Sequence, residues 1–144
     1  SFSDSNIAFA TNFLCKYIPY PVDDNIGKVN SGIMTVSKLN TDSAERISLP
    51  NGFTWPVSTC QLKRCLLVER VTLENSTKEL VLINLHLDAY DENGEGREAQ
   101  YKQLCEFMQL EYAKGNYVIA GGDFNSTLPS VDKNKYPLKL TDNF

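Results

Sequence analysis

Two short segments carry groups able to work on a phosphate or a carbonyl, and in each the groups are two residues apart. Tyr117-Val-Ile-Ala-Gly-Gly-Asp-Phe-Asn125 ends in Asp123 and Asn125 with apolar Phe124 between them. In an extended chain that spacing puts the carboxylate and the carboxamide on one face. Glu79-Leu-Val-Leu-Ile-Asn-Leu-His-Leu87 ends similarly, with Asn84 and His86 separated by Leu85, and His86 is the single histidine of the chain. A carboxylate can deprotonate or orient water, an imidazole can donate to a charged oxygen, and a carboxamide can do either kind of hydrogen bonding. The competing reading is plain turn chemistry, since Gly, Asp and Asn are also what a surface turn uses.

The elements that must bring these groups together are legible. Tyr117 to Ala120 is an apolar run bounded by Gly115-Asn116 and Gly121-Gly122, which predicts a short buried strand followed by a sharp turn. Leu62 to Leu73, a turn at Glu74 to Lys78, and the His86 segment predict an antiparallel hairpin. Between His86 and Asp123, apolar Tyr101, Leu104, Cys105, Met108 and Tyr112 recur at helical spacing, and Gly115 is a stop. Strand, helix, strand makes the two flanking strands parallel, so the ends carrying His86 and Asp123 point the same way. Upstream, Asn6 to Cys15 and Gly32 to Ser37 are expected as strands, Tyr17 to Val22 as an extended loop broken by prolines, and Leu39 to Asn51 as a polar loop.

Asn84-Leu-His-Leu87 followed by Gly122-Asp-Phe-Asn125, with Ser31-Gly-Ile-Met-Thr-Val-Ser-Lys38 upstream, resembles the endonuclease/exonuclease/phosphatase superfamily, whose members include deoxyribonuclease I. The resemblance covers roughly residues 30 to 128. It implies an α/β fold, a mixed β-sheet with a covering helix, forming part of a two-sheet four-layer α/β sandwich. It further implies a metal-dependent hydrolase of phosphate esters using Mg²⁺, with Mn²⁺ as a substitute. Asp123 would orient and activate the water, Asn125 would hydrogen-bond the phosphate or the water, His86 would donate to a phosphoryl oxygen, and Arg64 would reach the phosphate. The substrate would be a nucleic acid, a phosphoinositide or a phospholipid head group. The family's metal-ligating glutamate and its terminal aspartate-histidine pair have no counterpart, so the metal ligands stay unassigned. Residues 1–144 are therefore expected to be a partial domain lacking both end motifs, inactive alone and exposing apolar sheet surface. The alternative is a non-catalytic binding domain that retains the fold.

Composition bounds these readings. A hydrophobic share of 42% predicts a globular core, and 14 Lys plus Arg against 18 Asp plus Glu leave no basic excess for non-specific nucleic-acid binding. Cys15, Cys60, Cys65 and Cys105 lack zinc spacing and are expected as buried free thiols, which favours a reducing, cytoplasmic compartment. No apolar run is long enough to span a membrane. Asp23 and Asp24 suit a turn. Secondary candidates are Lys38 and Arg46 for a phosphate, Arg97 and Gln100 as a frame for the cleft, Asp88 and Asp91 for a cation, and Trp55 as either cleft lining or sheet packing.

Overall fold

The computed structural model describes residues 4–19, 21–51, 63–89, 94–126, 132, 134 and 135. Trp55, Cys60 and Asp91 lie outside the described residues. Among those described are six strands and one helix: β1 (Asn6–Ile18), β2 (Gly27–Ser37), β3 (Ser43–Ser48), β4 (Cys65–Thr72), β5 (Glu79–His86), α1 (Glu95–Ala113) and β6 (Tyr117–Asp123). β1 and β2 pair antiparallel as one sheet, and the other four form a second sheet in the order β3-β4-β5-β6. β3-β4-β5 are antiparallel and β5-β6 parallel, so the sheet is mixed and the fold is α/β.

Alternation decides the layers. Leu66, Val68, Val81, Ile83 and Leu85 point to one side of the larger sheet and bury themselves against Leu104 of α1. Cys65 and Leu67 point to the other side and meet Ala10 of β1 and Ile33 of β2. The order of layers is thus helix, four-stranded sheet, two-stranded sheet. Each such buried side chain contributes roughly 1.5–3 kcal/mol, which makes β4, covered on both faces, the spine of the fold.

The hairpin and the crossover form as the sequence predicts. Its turn is closed by Asn75 at φ 57° and by Ser76 N–H donating to Leu73 O at 3.2 Å. Helix α1 carries Glu95 and Glu98 in its first turn, where the dipole favours them. It stops at Gly115, φ 85°, with Gly115 N–H on Tyr112 O and Asn116 N–H on Glu111 O, a Schellman ending.

Five expectations are corrected. The segment from Leu39 to Asn51 is not loop throughout: Ser43–Ser48 pairs with β4 as an edge strand. The chain from Tyr17 onward is not all loop either, since β1 continues through Ile18. β6 is only half covered, because α1 packs Val118 and Ala120 while Tyr117 and Ile119 stay 61% and 57% exposed on the opposite face. The inward face of α1 is only partly the predicted one: Leu104 is buried and Tyr101 and Met108 pack against the core as expected, but the face is rotated toward two polar positions. Gly96, Gln100, Leu104 and Glu111 are its buried residues, whereas Cys105 and Tyr112 face outward. Two polar side chains with strong partners displaced apolar ones from the core. Cys15 is half-buried, so of the three described thiols Cys65 alone is buried.

Candidate functional site

Parallel pairing of β5 and β6 is in the register His86↔Asp123, and both residues therefore sit at strand C-terminal ends on one face of the sheet. His86 Nε2 lies 3.7 Å from Asp123 Oδ2. Both side chains reach solvent, at 38% and 61% exposure, on the side away from α1.

The turn after β6 holds this arrangement through backbone geometry. Gly122 has φ 142°, and a Cβ there would collide with the Leu85 carbonyl, so only glycine lets β6 run this close to β5. Asp123 O accepts from Leu87 N–H at 2.9 Å, extending the parallel ladder one residue past His86. Asp123 Oδ1 accepts from Asn125 N–H at 2.9 Å, an Asx turn with Asn125 at φ 46°. Asn125 Nδ2 donates to Leu87 O at 2.8 Å. One N–H of the Asn125 amide is thus committed to the scaffold, which leaves its Oδ1, an acceptor suited to water, and a second N–H to present to a ligand.

Behind this rim lies a buried polar hub centred on Asp88. Its carboxylate accepts from Arg64 Nε at 3.0 Å and from Gln100 Nε2 at 2.8 Å. Its N–H donates to Gln100 Oε1 at 3.0 Å and its carbonyl accepts from Arg97 Nη1 at 2.9 Å. Gln100, fully buried, also donates to Pro50 O at 2.9 Å. The first turn of α1 therefore grips the chain two residues beyond His86. Sequence reasoning placed Arg97 and Gln100 near a cleft but missed Asp88 as their shared partner. The signal available was the spacing Gly96, Gln100, Leu104, Glu111, which repeats along one helical face.

The other candidates separate into two groups. Arg64 is brought beside the rim, with its side chain 6% exposed and ion-paired to Asp88. Asn84 Nδ2 instead donates to Met34 O at 3.0 Å and Thr35 Oγ1 at 3.2 Å, tying β5 to β2. Arg46 is also a strut, donating to Thr11 O, Ser48 Oγ and Lys63 O. Burial first, then the Arg64 charge, hold the His86 imidazole below its usual 6.5, against the opposite pull of Asp123 and Asp88. At neutral pH His86 is therefore uncharged, able to donate one hydrogen bond and accept another.

The sequence pattern of Endonuclease/Exonuclease/phosphatase family 2 matches residues 30–140. The chain belongs to this family. No curated protein sequence matches the chain. Among solved structures, the human Nocturnin catalytic domain with bound sulfate superimposes with a TM-score of 0.59 at 17% identity, over 85% of this chain and 43% of that one. Truncated Caenorhabditis elegans TDP2 gives 0.59 at 19% identity, over 90% and 44%. ANGEL2, described as a 2',3'-cyclic phosphatase, gives 0.57 at 14% identity, over 88% and 34%. These likenesses establish the fold as the deoxyribonuclease I-like α/β sandwich. The chain spans less than half the length of each of these three.

Membership of this family raises the question of a divalent metal. Among the described residues no three His, Cys, Asp or Glu side chains converge to hold one. Among the described residues of the rim, Asp123 and His86 are the pair open to a cation, since Asp88 is occupied by Arg64 and Gln100. A hard divalent cation needs about six oxygen donors. The described residues of this rim do not supply that set.

Proposed function

We propose that the protein to which this chain belongs hydrolyses phosphate esters at the rim formed by His86, Asp123 and Asn125. The observation that carries the reading is the in-register pairing of His86 with Asp123 at the open ends of two parallel strands. Asp123, exposed and with Oδ2 turned toward the rim, orients and deprotonates a water. Asn125 Oδ1 accepts from the same water. Neutral His86 donates to a phosphoryl oxygen, and the buried Arg64 cation adds positive potential from behind, where low dielectric lengthens its reach. Asp88 holds Arg64 aligned through Nε.

The reading extends to residues 1–144 being a partial domain, completed in a longer protein. Dependence on Mg²⁺, with Mn²⁺ as a substitute, is part of the proposal, its ligands coming from residues other than those described. The substrate is a phosphate ester of nucleic-acid, phosphoinositide or phospholipid type. The test is Mg²⁺-dependent cleavage of bis-p-nitrophenyl phosphate by the longer protein, by its Asp123→Ala variant and by the 144-residue chain. We expect cleavage by the first, a loss of about 10²–10⁴-fold in the second, and little or no turnover by the third. A longer protein inert toward this ester and toward natural phosphodiesters, yet still binding a ligand, would replace the hydrolase with a binding domain.

A further inference from the structure

On the face of β4 that meets the two-stranded sheet, Cys65 and Leu67 are followed at the same period by Glu69. A carboxylate there is out of place. Glu69 is 2% exposed, its Oε2 accepts from Thr41 Oγ1 at 3.2 Å, and its Oε1 is buried without a partner. None of the ion pairs formed by the described residues includes it, because neighbouring Arg70 points to the opposite face and pairs with Glu79 and Glu111. Leaving a buried carboxylate oxygen unsatisfied is costly enough that native structures rarely do so without a ligand, water or ion at the spot.

Glu69 lines a cavity of about 280 Å³ whose other polar walls are Asn6, Thr41, Asp42 and Ser43. Asp42 contributes a second carboxylate. One of its oxygens accepts from Thr72 N–H at 2.6 Å, which fixes its position at the cavity wall. Apart from the Asn6 amide nitrogen, which donates to Leu39 O, every polar side-chain atom of the described lining residues is an oxygen. Two carboxylates, two hydroxyls and an amide carbonyl, with no sulfur or imidazole, match the donor preference of hard divalent cations. The volume leaves room for the waters that would complete a coordination shell.

We propose that this cavity is a binding site for a hard divalent cation of the calcium type. It is separate from the His86–Asp123 rim: Glu69 lies five residues along the chain from Arg64, which precedes β4, about 16 Å at strand rise. By joining Thr41–Ser43 to β4, the cation would clamp the entry to β3 against the sheet. The site stands whether or not the protein is a hydrolase.

The test is thermal unfolding and calorimetric titration of the 144-residue chain with CaCl₂. Calcium is expected to raise Tm of the parent chain by about 5 °C at a tenfold excess over Kd. Glu69→Gln and Asp42→Asn should both abolish the shift and the binding heat, and Asp123→Asn should leave them intact. Asp42 is exposed, so its variant tests the site even if Glu69→Gln unfolds. The proposal is overturned if the parent chain binds no calcium, which would make Glu69 a merely hydrated carboxylate, or if Asp123→Asn rather than the other two removes the binding.

Discussion

A single imidazole makes the rim unusually open to measurement. His86 gives the only histidine C2–H resonance of the chain, so its titration can be followed without assignment. Its midpoint is expected below 6.5, because burial and Arg64 oppose the proton more than Asp123 and Asp88 attract it. Removing the Asp123 charge in Asp123→Asn should lower the midpoint further, and an increase would show that the 3.7 Å approach of the two side chains does not persist in solution. The sign for stability follows. With a folded value beneath the unfolded one, the unfolded chain binds more protons across that interval. The contribution of His86 is thus present above pH 6.5 and declines as pH falls through the folded value.

What holds those side chains is a matter of whole elements. β6 can approach β5 only because Gly122 lacks a Cβ, and α1 grips the end of β5 through Gln100, which satisfies both the N–H and the carboxylate of Asp88, and through Arg97 on its carbonyl. Gly122→Ala should destabilise the fold by about 1–3 kcal/mol through backbone strain. Gln100→Leu should cost about 1–3 kcal/mol because it strands a buried N–H, a carboxylate oxygen and the Pro50 carbonyl. Denaturant unfolding checks both. A Gln100→Leu variant as stable as the parent would mean that water replaces the amide and that the hub does not support the rim.

At the scale of the molecule, the end of the sheet opposite the rim is closed by charge rather than by apolar packing. Glu111, 2% exposed, accepts two hydrogen bonds from Arg70 and others from Lys114 and Asn116, linking β4, α1 and the turn before β6. Those partners, Arg70 foremost, hold its carboxyl down from 4.5 to about 2. Because the folded value is the lower one, the network stabilises the protein fully above about pH 4.5, by roughly 3 kcal/mol. That contribution drains away as pH falls from 4.5 toward 2. Acid unfolding of a Glu111→Gln variant should lose this part of the slope. An unchanged profile would place the acid sensitivity elsewhere.

The sequence by itself determined the hairpin, the parallel crossover, the glycine turn and the pairing of a histidine strand with an aspartate strand. Each of these rests on local rules: alternation, helical period, glycine at positive φ, and the handedness of strand-helix-strand units. Tertiary structure alone decided the exact register His86↔Asp123, the rotation of α1 toward Gln100 and Glu111, the partnering of Arg64 with Asp88, and the pairing of Ser43–Ser48 as a sheet edge. Those features depend on partners distant in sequence. A buried glutamine or glutamate is stable only when specific donors and acceptors meet it, and periodicity counts such residues as surface. Glu69 belongs to the same class: its place in β4 predicts an interior position, but only the packed sheets reveal that nothing in the described chain answers its second oxygen.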